Sequence, residues 1–301
     1  MPPDAAVLTA AELLRHREGA ERLAARLPGL LVETDRVAAT VAQGVHGRRR
    51  AGVGETFWQF RAYQQGDDAR DIDWWQWAQL RELYVREQEW EAALSVWLWC
   101  DLSPSMRFRS DRRLPPKAER TIVLTMALAS LLVRGGERVA ILGSGERPRP
   151  GRFGFARLAA GLGDAYLRGE ALPPVAQLPR AARLVLISDF LEPIEALRAR
   201  LGGFASAGVE GCVLQVNDPA EEQLPYNGRV LFEGLEQEGR ALIRNVARVR
   251  DRYADRFKAQ REELARLCGR QGWRFATHRT DRPPESGLLT LYQMLAPKAV
   301  R

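Results

Sequence analysis

The most apolar stretch of the chain lies about one third of the way along it and ends on a carboxylate. Residues 94–108 read LSVWLWCDLSPSMRF, and no polar residue interrupts the run from Val96 to Cys100. Parallel strands that are covered on both faces have this pattern, because neither of their faces meets water. We therefore expect a deeply buried strand here, with Trp97 and Trp99 in the core.

After this strand, apolar strand-like runs alternate with segments of helical periodicity. The pattern predicts strands at 138–143, 183–190, 211–216 and 273–278, and helices at 116–134, 155–167, 193–207, 238–270 and 286–296. Strands that are separated by helices of this length form a doubly wound, mostly parallel sheet. The predicted class of residues 94–301 is therefore an α/β domain.

The first 93 residues follow two other patterns. Residues 1–43 carry apolar residues at helical spacing and predict an N-terminal helical arm. Residues 44–93 contain frequent glycines and short strand-like pieces, which are typical of a small β-rich segment. The chain is thus expected to have three parts, with boundaries near residues 43 and 93.

Cysteine usage and hydropathy indicate a cytoplasmic protein. Cys100, Cys212 and Cys268 lie far apart, so neither a CxxC metal motif nor a disulfide framework is present, and we expect reduced core thiols. The longest apolar run has about nine residues, whereas a helix needs about 20 to cross a bilayer. The N-terminus also lacks the basic start and apolar centre of a signal peptide. We expect no membrane span.

The positive net charge of +7 raises the question of nucleic-acid binding. Clustered arginines and lysines favour nucleic acid because they neutralise phosphates and release counterions. In this chain the arginines are scattered among acidic residues along the whole length. Nucleic acid is therefore the less favoured partner.

Two of the predicted strands end in an aspartate. Asp101 follows SVWLWC, and Asp189 follows RLVLIS. Ligands of open parallel sheets bind beyond the carboxyl ends of the strands, so the two carboxylates would share a crevice if their strands are neighbours. Ser103 and Ser105 would add hydroxyl oxygens, and such oxygens suit Mg²⁺ or Mn²⁺. The structural alternative stays open, because Asp and Ser after a strand also form turns and helix caps.

Two resemblances can be stated on these residues. The motif CDLSPSM, a long helix and the later VLISDF resemble the von Willebrand factor A fold and its metal-ion-dependent adhesion site. The upstream elements GVGETF, RAY and GDDARDIDW are similar to those of the bacterial family known as domain of unknown function number 58. Together the similar regions cover roughly residues 44–296.

The resemblance implies a von Willebrand factor A-like fold, a divalent cation and a MoxR-type AAA+ ATPase as partner. Asp101, Ser103 and Ser105 match the first metal-binding loop, and Asp189 matches the last. The middle ligand is normally a threonine after the second core strand. Here that loop reads GSGERPRPGRFGFARL, which offers only Ser144 as a hydroxyl, and its arginines would oppose a cation if they faced the site.

Tryptophans and arginines upstream of the buried strand form a candidate partner surface. Seven of the eight tryptophans lie between residues 58 and 99, and Trp74, Trp75 and Trp77 cannot all face one interior. We assign these three to a partner surface, with packing against the helical arm as the equal alternative. Arg61 and Arg70 are assigned to the same surface, although pairing with nearby acids is their alternative role.

The sequence carries no recognisable catalytic constellation. GxSxG, P-loop and HExxH motifs are absent, and the three histidines lack a triad-like context. The favoured function is a non-catalytic protein-binding module that acts with a MoxR-type ATPase in the assembly or maturation of other proteins. Its crevice, with or without a cation, would receive an acidic side chain. The alternatives are an Mg²⁺-dependent phosphoester hydrolase, for which no base is evident, and an arginine-rich nucleic-acid binder.

Overall fold

The computed structural model describes residues 59–62, 84–87, 94–149, 152–235 and 239–295. Residues Gln43–Ala93 and residues Leu94–Arg301 belong to different compact units. In the first, β1 (Gln59–Ala62) and β2 (Tyr84–Glu87) pair antiparallel, with Arg61 opposite Val85.

The helical arm 1–43 and the proposed surface residues lie outside the described residues, apart from the backbone of Arg61, and stay predictions. These surface residues are Arg70, Trp74, Trp75 and Trp77.

A parallel sheet of five strands forms the centre of the larger unit, in the order β4-β3-β5-β6-β9. Its strands are β3 (Ser95–Cys100), β4 (Arg138–Ile141), β5 (Arg183–Ser188), β6 (Glu210–Asn217) and β9 (Arg274–Arg279). The helices are α1 (Lys117–Arg134), α2 (Arg152–Arg168), α3 (Ile194–Ser206), α4 (Pro219–Gln223), α5 (Arg250–Arg270) and α6 (Pro284–Leu295). The predicted α/β class with a mostly parallel sheet is confirmed.

Both faces of β3 are buried, which explains its uninterrupted apolar sequence. Trp97 and Trp99 pack in one cluster with residues of α3 and α5, including Leu197 and Leu264. The alternate residues of β3 are also buried, on the face opposite this cluster, and α1 packs against β3 as well as against α2 and α6. Trp97 and Trp99 are therefore core residues, as predicted.

The three cysteines are free thiols in buried positions, as expected. Burial raises the pKa of Cys100 to about 12, so its thiol is protonated at neutral pH. None of the helices in the described residues is both long enough and apolar enough to cross a membrane.

The prediction of one helix over residues 238–270 is wrong. Residues 240–243 form β8 (Arg240–Ile243), which pairs antiparallel with β7 (Val230–Glu233), and the helix begins only at Arg250. Gly239 has φ 84 and Asn245 has an extended φ of −148, so neither residue is helical. This exposed hairpin sets Leu231 opposite Leu242, and these residues are 54% and 49% exposed.

Two strands are shorter than predicted. The strand expected at 138–143 ends at Ile141, and the strand expected at 183–190 ends at Ser188. The backbone turns at Gly143 and Phe190, whose φ angles are 83 and 49, and neither value is compatible with a strand. These early ends place loops, rather than strands, at the carboxyl edge of the sheet.

Candidate functional site

Asp101 and Ser188 lie side by side at the carboxyl ends of β3 and β5. The parallel register sets Cys100 level with Ile187, and the amide of Asp101 donates to the carbonyl of Ile187 at 2.8 Å. Ser188 Oγ donates to Asp101 Oδ2 at 2.7 Å, and the amide of Ser103 donates to Oδ1 at 2.9 Å. Both oxygens of this buried carboxylate therefore have donors from the protein itself.

A short 3₁₀ turn follows Asp101 and presents the serines of the motif. The turn spans Pro104–Arg107, and the amide of Met106 donates to the carbonyl of Ser103 at 3.1 Å. The hydroxyl oxygens of Ser103 and Ser105 lie 3.0 Å apart, within hydrogen-bond distance. The predicted residues Asp101, Ser103 and Ser105 thus belong to one hydrogen-bonded loop.

Asp189, the second predicted carboxylate, is paired with a buried lysine. Lys117 Nζ lies 2.7 Å from Asp189 Oδ2 and also contacts Glu221 Oε1. The side chain of Lys117 is 1% exposed and that of Asp189 is 6% exposed. Lys117 is the first residue of α1, and the positive end of a helix dipole disfavours a cation there. The two carboxylates therefore provide the charge that keeps this ammonium in the interior.

A third strand adds acidic residues to the same edge. Asp218 follows β6 and caps α4, where Asp218 Oδ1 accepts from the amide of Ala220 and Glu221 Oε2 accepts from the amide of Asp218, both at 2.8 Å. Asp218 Oδ2 also accepts from the amide of Ser110 at 2.9 Å. The capping box thus fixes Glu221 beside Lys117, and the bond from Ser110 ties the loop after β3 to the end of β6.

The backbone around Asp189 is held in a strained conformation. Phe190 is a bulky buried residue with φ 49, a region that costs such residues about 1–3 kcal/mol. The amide of Phe190 donates to Ser188 Oγ at 3.0 Å, and Gln215 Nε2 donates to the carbonyl of Asp189 at 2.8 Å. These contacts hold the sharp turn that directs Asp189 toward Lys117.

Asp101, Lys117, Asp189 and Glu221 form a buried polar cluster. Charge and burial shift the pKa values of groups in this cluster. Burial and the charge of Asp189 raise the pKa of Asp101 to about 7, against the opposing effect of hydrogen bonds from Ser103 and Ser188. Burial lowers the pKa of Lys117, but the charges of Asp189 and Glu221 outweigh burial, so the net pKa is raised. Lys117 is therefore a cation at neutral pH, whereas Asp101 is close to its midpoint.

Ser144, the remaining predicted ligand, lies in the turn after β4. Its hydroxyl donates to the carbonyl of Ile141 at 2.8 Å and accepts from the amide of Glu146 at 3.2 Å. It lines a shallow cleft together with Arg147 and Arg149. Its hydrogen bonds to described residues thus stay within its own turn, and ligation of a metal by Ser144 stays a prediction.

The oxygens of the cluster are of the kind that a hard cation binds, but they already accept hydrogen bonds or an ion pair from protein groups. The carboxylate oxygens of Asp101 accept from Ser103 and Ser188, and those of Asp189 accept from Lys117 and, at 3.3 Å, from the amide of Leu191. Among the described residues, no group of three or more His, Cys, Asp or Glu side chains is arranged to hold a metal ion. A divalent cation would have to replace these contacts, and metal binding by this cluster stays a prediction.

An arginine-bearing loop continues from the cluster to the surface. Residues 109–113 read RSDRR, are exposed, and precede Lys117. Inward of them, the guanidinium carbon of Arg107 lies 4.9 Å from the ring centroid of Tyr166, and two of its nitrogens have no hydrogen-bond partner among the described residues. This loop, which we call the basic loop (residues 109–113), gives the carboxyl edge a positively charged surface.

Sequence reasoning found Asp101 and Asp189 but missed Lys117, Asp218 and Glu221. A signal for Asp218 was present, because VLQVND is a third apolar run that ends in an aspartate. A signal for Lys117 lay in composition, since only three of the 45 basic residues are lysines. Glu221 carried the capping-box spacing three residues after Asp218.

Comparisons with known proteins indicate a family but no activity. The family described as "Protein of unknown function DUF58" matches residues 59–263. Uncharacterized proteins of Mycobacterium bovis and Mycobacterium tuberculosis are each 28% identical over 295 residues, covering 92% of this chain and 91% of the relative. An uncharacterized membrane-spanning protein from Vibrio fischeri aligns to 66% of this chain and 97% of its own, at 13% identity and a TM-score of 0.18, which carries no inference about the fold.

Proposed function

We propose that this chain, which belongs to the DUF58 family of proteins of unknown function, is a non-catalytic protein-binding module. The observation that carries the proposal is the combination of a buried, internally paired polar cluster with the basic loop that it anchors. The amide of Ser110, in that loop, donates to the carboxylate of the fully buried Asp218. A surface loop with such an anchor is held in a fixed conformation, which lowers the entropy lost on binding.

We further propose a von Willebrand factor A-like arrangement for the larger unit. Its first strand, β3, lies between β4 and β5. The chain passes from β3 to β4 on one side and then from β4 across β3 to β5 on the other side. In open α/β sheets a reversal of strand order of this kind creates a crevice for ligands. Asp101 lies at that crevice, at the end of the strand from which the order reverses.

An acidic protein surface is the partner chemistry that fits the basic loop. Arg109, Arg112 and Arg113 are exposed, and charged groups of this kind steer an oppositely charged partner to the surface. We propose a MoxR-type AAA+ ATPase as this partner, on the basis of the family resemblance, and a role of the pair in the assembly or maturation of other proteins.

The burial of the cluster favours binding over hydrolysis. A pKa near 7 would suit Asp101 for acid-base catalysis, but its residue is 1% exposed and both its oxygens are engaged. Lys117 is equally buried and is held by two carboxylates. A substrate would have to displace these contacts before it reached either group, so phosphoester hydrolysis remains the second candidate.

The binding surface is tested with two matched pairs of charge reversals. Arg109→Glu with Arg112→Glu changes the basic loop, whereas Arg266→Glu with Arg270→Glu changes exposed arginines near the end of α5, where the chain enters the opposite edge of the sheet. We expect the affinity for a purified MoxR-type ATPase from the same genome to fall at least about tenfold for the first pair and to change little for the second. Equal effects of the two pairs, or no binding by the wild type, would refute the proposal.

A further inference from the structure

Lys117 carries a positive charge beside Asp189, one of the residues that the metal-binding motif assigns to a cation. Its ammonium contacts one oxygen of Asp189 and one of Glu221, and its side chain is 1% exposed. Asp189 is also the residue that the metal-binding motif assigns to a cation. The ammonium therefore satisfies the same carboxylate that a divalent cation would bind.

The structure around Lys117 limits how far this amine can move. The amide of Lys117 donates to the carbonyl of Phe108 at 3.3 Å, and its helix is packed against α2 and α6. Glu221 is fixed in turn by the capping box with Asp218 and by Tyr253, whose hydroxyl donates to the carbonyl of Glu221 at 2.8 Å. The ammonium is thus held between two carboxylates, both of which are positioned by other contacts.

We propose that the Lys117 ammonium is the built-in cation of this cluster and takes the place of a divalent metal. A bound Mg²⁺ next to Lys117 would bring two cations to the same carboxylate, and their repulsion in a buried site opposes binding. The wild-type protein therefore does not require a divalent cation at this site. Its partner binding, a consequence that rests on the proposed function, is independent of Mg²⁺.

Removal of the ammonium should create a metal site at Asp189 and Glu221, the two carboxylates that it contacts. In Lys117→Met the side chain keeps its length but loses its charge, which leaves Asp189 and Glu221 facing each other without a cation. Two carboxylates that share a buried position favour the binding of a hard cation. A metal ion then supplies the charge that the lysine supplied.

The test has two measurements on the wild type, Lys117→Met and the control Lys258→Met. Isothermal titration calorimetry measures the binding of Mg²⁺ and Mn²⁺, and thermal denaturation measures the Tm with and without each ion. Lys258 has a side chain that is 77% exposed, so its loss leaves the cluster intact. We expect no heat above the buffer blank for the wild type and the control, and a rise in Tm of several degrees for Lys117→Met with millimolar Mn²⁺. Failure of Mn²⁺ to stabilise a folded Lys117→Met would overturn the proposal.

The titration of the wild type tests the built-in cation even if Lys117→Met does not fold. Stoichiometric metal binding by the wild type that is lost in Asp101→Ala would overturn the proposal, and the absence of binding supports it. Binding of the ATPase is then compared in EDTA and in Mg²⁺. Equal affinities in the two buffers support Lys117 as the built-in cation. A requirement for Mg²⁺ overturns the built-in cation but leaves the proposed protein-binding function standing. No binding in either buffer overturns the protein-binding function alone.

Discussion

The Nζ of Lys117 lies 2.7 Å from Oδ2 of Asp189, and both side chains are almost wholly buried. This pair joins the first residue of α1 to the residue after β5, which are 72 positions apart in the chain. The contact places a buried cation at the carboxyl edge of the sheet. The loops that this edge carries are consequently held by charge as well as by packing.

Replacement of Lys117 by methionine should destabilise the fold strongly. The substitution leaves Asp189 and Glu221 buried without their counter-ion, and loss of one partner of a buried pair costs about 3–5 kcal/mol. Chemical denaturation followed by circular dichroism measures this difference. Lys258→Met is the matched control, with an expected change below about 0.5 kcal/mol because its contact to Glu262 is exposed. Similar losses in the two variants would contradict a structural role for the ion pair.

Asp101 should make the fold less stable as the pH rises from about 4 to about 7. Its pKa is raised from 3.8 to about 7, mainly by burial, so the folded protein keeps a proton that the unfolded chain has already lost. Asp101→Asn cannot ionise and should not show this contribution. The difference in unfolding free energy between the two proteins should change by on the order of 3 kcal/mol across this window. A difference that does not vary with pH would contradict the assignment.

His278 should have the opposite pH dependence. Burial and the charge of Arg120 together lower its pKa to about 4, against the opposing charge of Asp281. The unfolded chain therefore gains a proton on His278 before the folded protein does, and stability falls as the pH falls from about 6.5 to about 4. His278→Gln should lose less stability than the wild type on acidification in this range, by on the order of 2–3 kcal/mol. Parallel curves for the two proteins would exclude a buried neutral histidine.

Gly211 of β6 provides a test of the core packing. A Cβ atom at this position would overlap the ring of Trp273, whose Nε1 donates to the carbonyl of Val209 at 2.9 Å. Gly211→Ala should lower the unfolding free energy by about 3 kcal/mol or more, because the ring has to move. Gly203→Ala, on α3, meets nothing within 4 Å and should instead stabilise the protein by about 0.5–1 kcal/mol. Equal effects in denaturant titrations would show that Trp273 is not packed as described.

The sequence predicts the part of the site that depends on strand ends. Asp101 and Asp189 each follow an uninterrupted apolar run, and parallel strands bring their carboxyl ends to one edge, so their proximity is predictable. Lys117 is not predictable in this way, because its side chain reaches the cluster from the start of a helix 16 residues after Asp101. Its role depends on Glu221, which the capping box fixes relative to Asp218 but which only the tertiary fold brings to Lys117.

The β7-β8 hairpin marks the limit of periodicity as a guide to the fold. Residues 240–243 continue the helical spacing of α5, but they are mostly exposed and pair with β7. The described features of the hairpin include Gly239, which has φ 84 and whose carbonyl accepts from the amide of Gly234, rather than a buried apolar face. A short strand on the surface therefore has no strong pattern of its own.

The central claim, that the carboxyl edge of the sheet is a protein-binding surface, is tested most directly by hydrogen exchange of the complex with the MoxR-type ATPase. The account predicts slower exchange on binding in the basic loop and around Leu191, which is 39% exposed, with no change at the opposite edge near Gly136 and Gly272. Protection confined to the opposite edge or to the β7-β8 hairpin would contradict it.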